Sequence, residues 1–462
     1  MRILLPPGKV ARFTGMALLF FACRKEDAPP PVRTGPVTKQ EINTWILDSM
    51  RYYYLWNTGL PPKPDTQLNA IKFFNSLKKA TDTFSRMIDF SDQAGTVQKD
   101  MLHAYGIDYT VISINDIQQP IGLIKFVIPG SAAYQNGLRR GDYFTKINRK
   151  QLTTSNAVQL EKELMNANNG TITKAAIDGT SVTDSEEVSI ENRLLLENPL
   201  YASKVLNIGN KKTGYIFYNY FDDYYDDALL TAFTTFKNNN VTELILDLRY
   251  NPGGSLTAAT ALSALIAPGI TENSTFIRYT GNNKTGNQSI SFKNLLSVPL
   301  SKKYISFSTL SAGRPTLSRA FILTTALSAS ASEAVVNNLK PYIQVITIGE
   351  RTYGKDKGSV VITDMRTPQR ITWALYPITY LLSNAKGEGG YDKGIAPDHF
   401  VDELGTQPLL PIGDTADPLI ARAISIITGN GRTGNNERNV TIKPWYDSRK
   451  KASMDSKVII PR

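Results

Sequence analysis

The sequence predicts a multidomain α/β protein with an N-terminal helical cap, a β-rich middle domain and an α/β core. The chain has 462 residues, which is more than one ordinary hydrophobic core accommodates. Its hydrophobic fraction of 41% and charged fraction of 20% are typical of a globular protein. The spacing of apolar residues is first helical, then strand-like, and finally alternates between strands and helices. This change along the chain indicates three differently built parts.

We predict six segments from these changes in spacing and composition, and we find no internal repeats. They are a lipoprotein signal segment (1–23), a Pro-rich tether (24–38), the helical cap (39–97), the middle domain (100–195), the α/β core (197–430) and a polar tail (431–462). We expect the tail to be loose, because polar and basic residues dominate it.

The first segment has the layout of a secretory signal. Three basic residues precede a short apolar stretch, 13–21, which is followed by Ala22 and Cys23. Cys23 is the only cysteine, so it has no disulfide partner within the chain. A lone cysteine at this place resembles the bacterial lipobox, in which the thiol is lipidated. We therefore expect a protein anchored to the membrane through Cys23 in the bacterial cell envelope, facing the periplasm or the cell surface; an ordinary signal with a coincidental cysteine is the alternative.

The net charge of the chain gives little reason to expect a nucleic-acid partner. It is +11, and removal of the three basic residues of the signal would leave 11 − 3 = +8. Lysine and arginine are scattered along the chain, and no nucleic-acid-binding motif is present. A solvated basic surface explains this charge, so no nucleic-acid partner is predicted.

The cap is predicted to contain two helices. Apolar residues recur at helical spacing from Ile42 to Tyr54, a Pro-Pro-x-Pro run at 61–64 breaks the pattern, and a second helix is expected at Leu68–Lys79. We interpret the aromatic residues of the cap as core rather than as part of a site.

The middle domain resembles a PDZ domain. Strands are predicted at Ile107–Ile114 and Ile121–Ile128, and a Pro-Gly turn then leads into a short helix at Ala132–Asn136. The string Gly137–Asn148, with its Gly-Leu-Arg-Arg-Gly-Asp start, completes the resemblance. PDZ domains take up an extended peptide tail as an added strand and hold its carboxylate in a backbone loop. By resemblance that loop falls at Tyr105-Gly106-Ile107-Asp108; a domain that acts only as a spacer is the alternative.

Strands alternate with helices in the core, which predicts a layered α/β fold. The predicted elements are strands at Gly214–Phe221, Glu243–Leu248, Ala320–Leu327 and Gln344–Gly349, and helices at Ser255–Ile266 and Glu333–Leu339.

Histidine is nearly absent, which limits the chemistry open to the chain. His103 lies in the middle domain and His399 in a polar loop. A Ser–His–Asp hydrolase would need one of them beside its nucleophile. If the protein is a hydrolase, another base is therefore expected, and lysine is a known alternative.

The run Ser328-Ala329-Ser330-Ala331-Ser332-Glu333 stands where an apolar strand gives way to a helix. A hydroxyl at such a turn is exposed at the end of the strand, and the amides of the helix N-terminus can stabilise negative charge. Ser330-x-x-Glu333 is equally a plain capping box, and this run alone favours that interpretation.

Two further segments change the balance between the interpretation of this run as a helix cap and its interpretation as a reactive site. Leu246–Gly254 is a buried strand that enters an Asn-Pro-Gly-Gly turn, and Gly349–Lys355 is a strand end followed by glycine and lysine. With the Ser-Ala-Ser-Ala-Ser-Glu run, these segments resemble in order the motifs of the carboxyl-terminal processing peptidases, the S41 tail-specific protease family. The resemblance covers roughly residues 40–430. It implies that the core has a crotonase- or ClpP-like α/β peptidase fold.

The resemblance also implies roles for individual residues. Ser330 falls on the family nucleophile, Lys355, 25 positions later, on the general base, and Glu333 on a supporting acid. One oxyanion amide would come from Ala331 and the other from Gly253 or, preferably, Gly254.

The lysine loop departs from the family pattern. It reads Gly-Lys-Asp-Lys-Gly where many members read Gly-Lys-Gly, so Lys357 is a rival to Lys355. Lysine acts as a base only when neutral, and its unperturbed pKa is about 10.4. The site must therefore bury the amine and lower its pKa.

The resemblance implies a serine endopeptidase that cleaves unstructured or C-terminally recognised polypeptides outside the cytoplasm, with neither metal nor cofactor. Two alternatives stay open: a catalytically inactive cell-surface protein that binds peptides on the same fold, and an acyl-CoA enzyme, because crotonase-like folds also use glycine-rich oxyanion turns. The oligomeric state is not predicted.

The lipid anchor is tested by replacing its cysteine. We expect Cys23→Ala to move the protein from the membrane fraction to the soluble fraction, because the variant cannot be acylated. The measurement is fractionation of cells followed by immunoblotting, and a variant that stays in the membrane fraction contradicts the prediction.

Overall fold

The computed structural model describes residues 35–90, 100–114, 117, 119–195, 198–429 and 442–449. Cys23 and the rest of the signal segment lie outside these residues, so what was predicted for them stays a prediction. Within the described part of the chain, no helix is both long and apolar enough to cross a bilayer.

The described residues form helices and strands throughout the three parts. The α-helices are α1 Lys39–Tyr53, α2 Ala70–Leu77, α3 Met101–Tyr105, α4 Ala132–Gln135, α5 Ala157–Met165, α6 Asp226–Asn238, α7 Leu256–Ile266, α8 Phe292–Leu296, α9 Phe307–Gly313, α10 Ala331–Leu339 and α11 Pro418–Thr428. The strands are β1 Arg86–Asp89, β2 Ile107–Ile114, β3 Ile121–Val127, β4 Tyr143–Ile147, β5 Lys150–Gln151, β6 Asn169–Asp178, β7 Ser181–Glu191, β8 Leu200–Ile208, β9 Lys211–Tyr218, β10 Glu243–Asp247, β11 Thr275–Thr280, β12 Asn287–Ser291, β13 Arg319–Thr324, β14 Gln344–Gly349, β15 Lys357–Ser359, β16 Trp373–Tyr376, β17 Ile378–Ser383, β18 His399–Phe400 and β19 Ile442–Asp447.

The cap is packed directly onto the core. Both cap helices are confirmed, and their buried residues, among them Ile46, Met50 and Phe73, belong to the same hydrophobic cluster as the helices of the core. The strand β1 pairs antiparallel with β16, which adds backbone hydrogen bonds between the two parts. The cap therefore shares its interior with the core.

The middle domain is built on an antiparallel sheet in the order β19-β2-β3-β4-β6-β7, with β5 beside β4. The predicted bounds of β2 are confirmed, and β4 lies within the string Gly137–Asn148. The short helix α4 starts at the side-chain cap of Ser131, and Gly137 follows it with a φ of 97°. Gly141 has a φ of 91°, and a Cβ there would lie 2.5 Å from the carbonyl oxygen of Leu409. The middle domain thus touches the chain of the core at this turn.

The core is a three-layered α/β unit. Its sheet has the order β18-β14-β13-β10-β9-β8, and all neighbours are parallel except β8 and β9. Side chains of each strand alternate between two faces: Leu244 and Leu246 pack with α6, α7 and α10, whereas Ile245 packs with α11. The predicted strand Ala320–Leu327 ends earlier, at Thr324, because the following residues form a turn that leads into α10.

A buried network of charges lies below one end of this sheet. Arg249, which is fully buried, contacts the carboxylates of Asp247, Asp417 and Glu403 at 2.7–3.0 Å. Arg140, from the middle domain, contacts Glu403 at 2.8 Å. Asp417 also caps the N-terminus of α11. The network therefore joins the end of β10, the start of α11 and the middle domain.

The two guanidinium groups determine the charge of Glu403. Burial alone would raise the pKa of Glu403, but Arg140 and Arg249 lower it to about 2 from the usual 4.5. A depressed acid pKa contributes stability above the pKa of the unfolded chain, and this contribution is lost as the pH falls towards 2.

The prediction of a loose tail is wrong for residues 442–449. Residues 442–447 form β19, which pairs antiparallel with β2, and Ser448 and Arg449 are buried. Polar composition indicates disorder only where the chain has no partner surface, and here the edge of β2 supplies one.

We expect Arg249→Ala to lower the free energy of unfolding by about 3–5 kcal/mol, because it leaves three buried carboxylates without their shared cation. The measurement is urea denaturation followed by circular dichroism. Arg193→Ala, at an exposed pair with Glu191, is the control and should leave the midpoint unchanged. Equal midpoints for the two variants would show that the network does not stabilise the fold.

Candidate active site

The three segments singled out in the sequence meet at one edge of the core sheet. The strands β10, β13 and β14 are parallel neighbours, with Asp247 beside Leu323 and Leu323 beside Ile348. Their carboxyl ends therefore lie at the same edge. The segments that follow them, 248–254, 325–330 and 350–356, form the turns of that edge, which is where open α/β sheets place their sites.

The three serines of the predicted box have different environments. The Ser328 hydroxyl donates to the carbonyl of Leu248 at 2.9 Å, and the Ser332 hydroxyl donates to the carbonyl of Asn251 at 2.8 Å. Among the residues that the structure describes, Ser330 Oγ has no hydrogen-bond partner, although Ser330 is fully buried. The outer two serines hold the turns together, and only the middle hydroxyl is left for another purpose.

The backbone of Ser330 is held in an unfavourable conformation. Its φ of 61° and ψ of −112° lie in a region that residues other than glycine rarely adopt, at a cost of about 1–3 kcal/mol. Ser330 and Glu333 occupy the two positions of a capping box. The backbone N–H of Ser330 donates to the Glu333 carboxylate at 2.9 Å. The second bond of a capping box, from the backbone of Glu333 to the Ser330 hydroxyl, does not have hydrogen-bond geometry. The hydroxyl of Ser330 therefore does not serve as an ordinary helix cap.

Two glycines bring the Asn-Pro-Gly-Gly turn against this serine. Gly253 has a φ of 108°, and a Cβ on it would lie 2.7 Å from Cβ of Ser330. Gly254 has a φ of 131°, and a Cβ on it would lie 2.1 Å from the carbonyl oxygen of Phe221. The Gly253 amide already donates to Oδ1 of Asn251 at 2.8 Å. This leaves Gly254 as the better candidate for an oxyanion amide, together with Ala331, whose amide starts α10.

Glu333 joins the serine turn to the lysine loop. Its carboxylate accepts four hydrogen bonds, from Ser330 N at 2.9 Å, Lys355 N at 2.8 Å, Gly354 N at 2.6 Å and Thr352 Oγ1 at 2.6 Å. Burial raises the pKa of Glu333, and these hydrogen bonds offset part of the rise. Glu333 thus supports the site through backbone groups, as an anchor between two loops.

The two candidate lysines have different surroundings. Lys355 is 6% exposed, and its Nζ lies 5.5 Å from the ring centroid of Phe84. Lys357 is part of β15, and its Nζ forms an ion pair with the neighbouring Asp356. The amine of Lys357 is therefore directed to a carboxylate, whereas Lys355 lies on the loop that Glu333 ties to Ser330.

Phe84 shows that one aromatic residue of the cap belongs to the site. It packs edge-to-face against Tyr353 with ring centroids 6.3 Å apart, and its ring lies beside the Lys355 amine. The interpretation of the cap aromatics as core holds for Tyr54, Phe73 and Phe74, which are buried, but it is wrong for Phe84. Nothing in the local sequence distinguishes Phe84, because the contact depends on how the cap packs on the core.

Neither histidine is hydrogen-bonded to Ser330. His103 Nδ1 contacts Asp100 at 2.7 Å, and His399 Nδ1 contacts Arg422 at 3.1 Å. Within the described residues, no group of His, Cys, Asp and Glu side chains is arranged to hold a metal ion.

The predicted peptide-binding loop lies at the start of β2. Tyr105 donates to the carbonyl of Leu164 at 2.7 Å, and Ile107 is fully buried, so these two side chains support the middle domain itself. Gly106 forms the left-handed cap of α3 with a φ of 75°. Asp108 is directed to the end of β19, where its carboxylate accepts a hydrogen bond from Ser448 Oγ at 2.6 Å.

Comparison with known proteins places the chain among peptidases. Residues 212–401 match the family model described as peptidase family S41, and residues 41–86 match the peptidase S41 N-terminal domain. The chloroplastic carboxyl-terminal-processing peptidase 1 of Arabidopsis thaliana is 21% identical over 349 residues, which are 71% of this chain and 65% of the relative, so the chain spans about two thirds of that protein's length.

The chain is also similar to proteins of solved structure. The crystal structure of an S41 protease from Bacteroides fragilis is 27% identical, with a TM-score of 0.66, and the match covers 86% of this chain and 99% of that one. A photosystem II D1 C-terminal processing protease matches at 16% identity and a TM-score of 0.48, covering 84% of this chain and 99% of that one.

The role of Glu333 as an anchor is tested by removing its charge. We expect Glu333→Gln to lower the free energy of unfolding by about 1–3 kcal/mol, because the amide group has one acceptor oxygen and turns its NH2 towards donors. The measurement is chemical denaturation, with Glu272→Gln at a surface pair as the control. A Glu333→Gln midpoint equal to that of the parent would rule out this role.

Proposed function

The chain belongs to peptidase family S41, and we propose that it is a serine endopeptidase with Ser330 as nucleophile and Lys355 as general base. The observation that carries the proposal is the contrast among three serines. Ser328 and Ser332 donate to backbone carbonyls, whereas Ser330 Oγ has no hydrogen-bond partner among the described residues. A buried polar group without a partner costs about 1–3 kcal/mol, so its retention calls for a functional reason.

The reaction follows from the groups around Ser330. Its Oγ attacks the carbonyl carbon of a peptide bond while its proton passes to Nζ of Lys355. The amides of Gly254 and Ala331 stabilise the negative oxygen that forms. The lysine then gives its proton to the leaving amine, which produces an acyl-enzyme. A water molecule, whose proton Lys355 accepts, hydrolyses the ester and restores the serine.

The surroundings of the two lysines support Lys355 as the base. A base must be neutral, and the burial of Lys355, which is 6% exposed, disfavours a charged amine through loss of hydration. The amine of Lys357 is instead held in an ion pair with Asp356 and is directed to that carboxylate.

Full burial of Ser330 supports an extended polypeptide as the substrate. A substrate carbonyl reaches Oγ only where the Gly253 turn and its neighbours separate from the serine. One extended chain requires a smaller separation than a folded surface would. We therefore propose unstructured or C-terminally recognised polypeptides as substrates, in line with the carboxyl-terminal processing for which the Arabidopsis relative is named. We further propose action in the cell envelope, with the membrane anchor at Cys23.

One observation favours a second function. The lysine loop carries two residues more than the family pattern, Asp356 and Lys357, and a displaced base would leave an inactive protein that binds peptides on the same fold. Labelling of Ser330 by an active-site acylating probe distinguishes the two, because only an activated serine reacts.

The central prediction concerns the serine and the two lysines. We expect Ser330→Ala and Lys355→Ala each to lower kcat/KM on an unfolded protein substrate about a thousandfold or more, because the pair works as a unit. Lys355→Arg should be equally inactive, since guanidinium stays protonated. The activity of the parent should rise with pH, because only the neutral amine accepts the proton.

Lys357→Ala is the matched control, two residues from Lys355, and we expect it to retain activity. Thermal melting of each variant shows whether the fold is intact. An active Lys355→Ala variant contradicts the assignment. Loss of activity in Lys357→Ala alone would transfer the role of base to Lys357.

A further inference from the structure

The tail strand β19 occupies an edge that would otherwise be open. It pairs antiparallel with β2, with Ile442 beside Ile114 and Asp447 beside Thr110. Beyond the strand, Ser448 N donates to the carbonyl of Tyr109 at 3.0 Å, and Tyr109 N donates to Ser448 Oγ at 2.9 Å. An unpaired sheet edge is where an extended peptide adds as a strand.

One side chain of the tail reaches from the strand to the helix opposite. The ring of Tyr446 lies 5.8 Å from that of Tyr109, and its hydroxyl hydrogen-bonds the carboxylate of Glu161 on α5. Tyr109 also donates to Glu161, at 3.2 Å. The tail therefore lies in a groove between β2 and α5, with an aromatic side chain in it.

A buried group of charges receives the end of the tail. Lys125, whose side chain is 3% exposed, contacts Asp447 at 2.7 Å and Asp108 at 3.6 Å. Arg449 lies 4.0 Å from Asp108 and donates to the carbonyl of Tyr250 at 2.9 Å. The tail thus supplies a carboxylate to a lysine that is nearly removed from water.

The outer side of the tail is exposed. Lys443 and Trp445 lie on the surface, and Trp445 is 45% exposed. Pro444 leaves one position of β19 without a donor, which is tolerated because β19 is an edge strand. The tail is thus held on one side only.

We propose that residues 442–449 are a built-in competitor for polypeptides at the groove between β2 and α5, the place where a PDZ-like domain takes up an extended peptide. The ligand it fits is an extended peptide with an aromatic residue followed by a carboxylate, which takes the places of Tyr446 and Asp447. This proposal rests on the proposed peptidase function only in identifying the displacing ligand as a substrate. Because the competitor is part of the same chain as the groove, its effective concentration is of roughly millimolar order, and a free peptide displaces it poorly.

Peptide binding tests the competitor directly. The probe is a fluorescent synthetic peptide of residues 440–449, added to the full-length Ser330→Ala protein so that cleavage does not interfere. We expect Tyr446→Ala with Asp447→Ala in this protein to tighten peptide binding at least tenfold, because the tethered tail then competes weakly. Lys443→Ala, on the exposed side of the same strand, should bind like the parent. Equal affinities for the double variant and its parent, or no binding to a folded double variant, would overturn the proposal.

A disulfide that can be formed and reduced provides a second measurement. It leaves Tyr446 and Asp447, the residues that contact the groove, unchanged. Ser113 and Lys443 are partners across β2 and β19, so Ser113→Cys with Lys443→Cys allows a disulfide at a suitable separation. We expect the oxidised form to cleave an unfolded protein at least tenfold more slowly than its reduced form, and to cleave a short peptide at the same rate.

The two measurements separate failure of the tail proposal from failure of the peptidase proposal. Equal rates of cleavage of the unfolded protein by the oxidised and reduced forms would overturn the proposal that the tail is a competitor. If neither form cleaves any substrate, the peptidase assignment fails, and peptide binding to the Ser330→Ala variants still decides whether the tail competes for the groove.

Discussion

The carboxylate of Glu333 is the point on which the geometry of the candidate site depends. It accepts hydrogen bonds from the backbone of Ser330 on one side and of Gly354 and Lys355 on the other. These residues follow different strands, and the backbone bond from Tyr353 N to the carbonyl of Ser328 at 3.0 Å is a further link between their loops. The buried carboxylate adds three backbone bonds to this link and lies nearest to Ser330 and Lys355 in the chain. Three of its four partners are backbone amides and the fourth is the hydroxyl of Thr352, so it positions the lysine through the backbone of the loop.

The second constraint is electrostatic and lies one strand away. Arg249 ends in contact with three carboxylates, and the next residue, Tyr250, leads into the turn that faces Ser330. A buried ion network of this kind contributes little net stability compared with an apolar core, but it penalises other arrangements strongly. The network therefore serves mainly to fix the position of the Asn251–Gly254 turn relative to α11 and the middle domain.

Much of this fold was predictable from the sequence, for identifiable reasons. The bounds of β2 and β14 follow from runs rich in apolar residues, of which the first begins after Gly106 and the second ends at Gly349. The parallel order of the core strands follows from their alternation with helices. Because the carboxyl ends of parallel strands share an edge, the serine, glycine and lysine segments could be expected to meet there. The roles of the individual serines could not, since they depend on which carbonyl each hydroxyl meets.

Two features were missed because they depend on contacts between distant parts of the chain. Phe84 becomes part of the site through the packing of the cap, which no local pattern reports. The strand β19 lies in a polar and basic stretch, and composition alone indicated a loose tail. Its Trp-Tyr-Asp sequence was the available signal, since aromatic residues in a polar tail are the ones that find a surface.

The rigid attachment of the middle domain has a geometric consequence. Arg140 joins this domain to the core through buried ion pairs, and Arg449, at the end of the docked strand, touches the carbonyl of Tyr250. A polypeptide held along β2 would then have one end at a fixed distance from Ser330. Cleavage would fall a set number of residues from the docked segment, whatever side chains flank the bond. The molecule would act as a ruler, and the lengths of its first products would report the span.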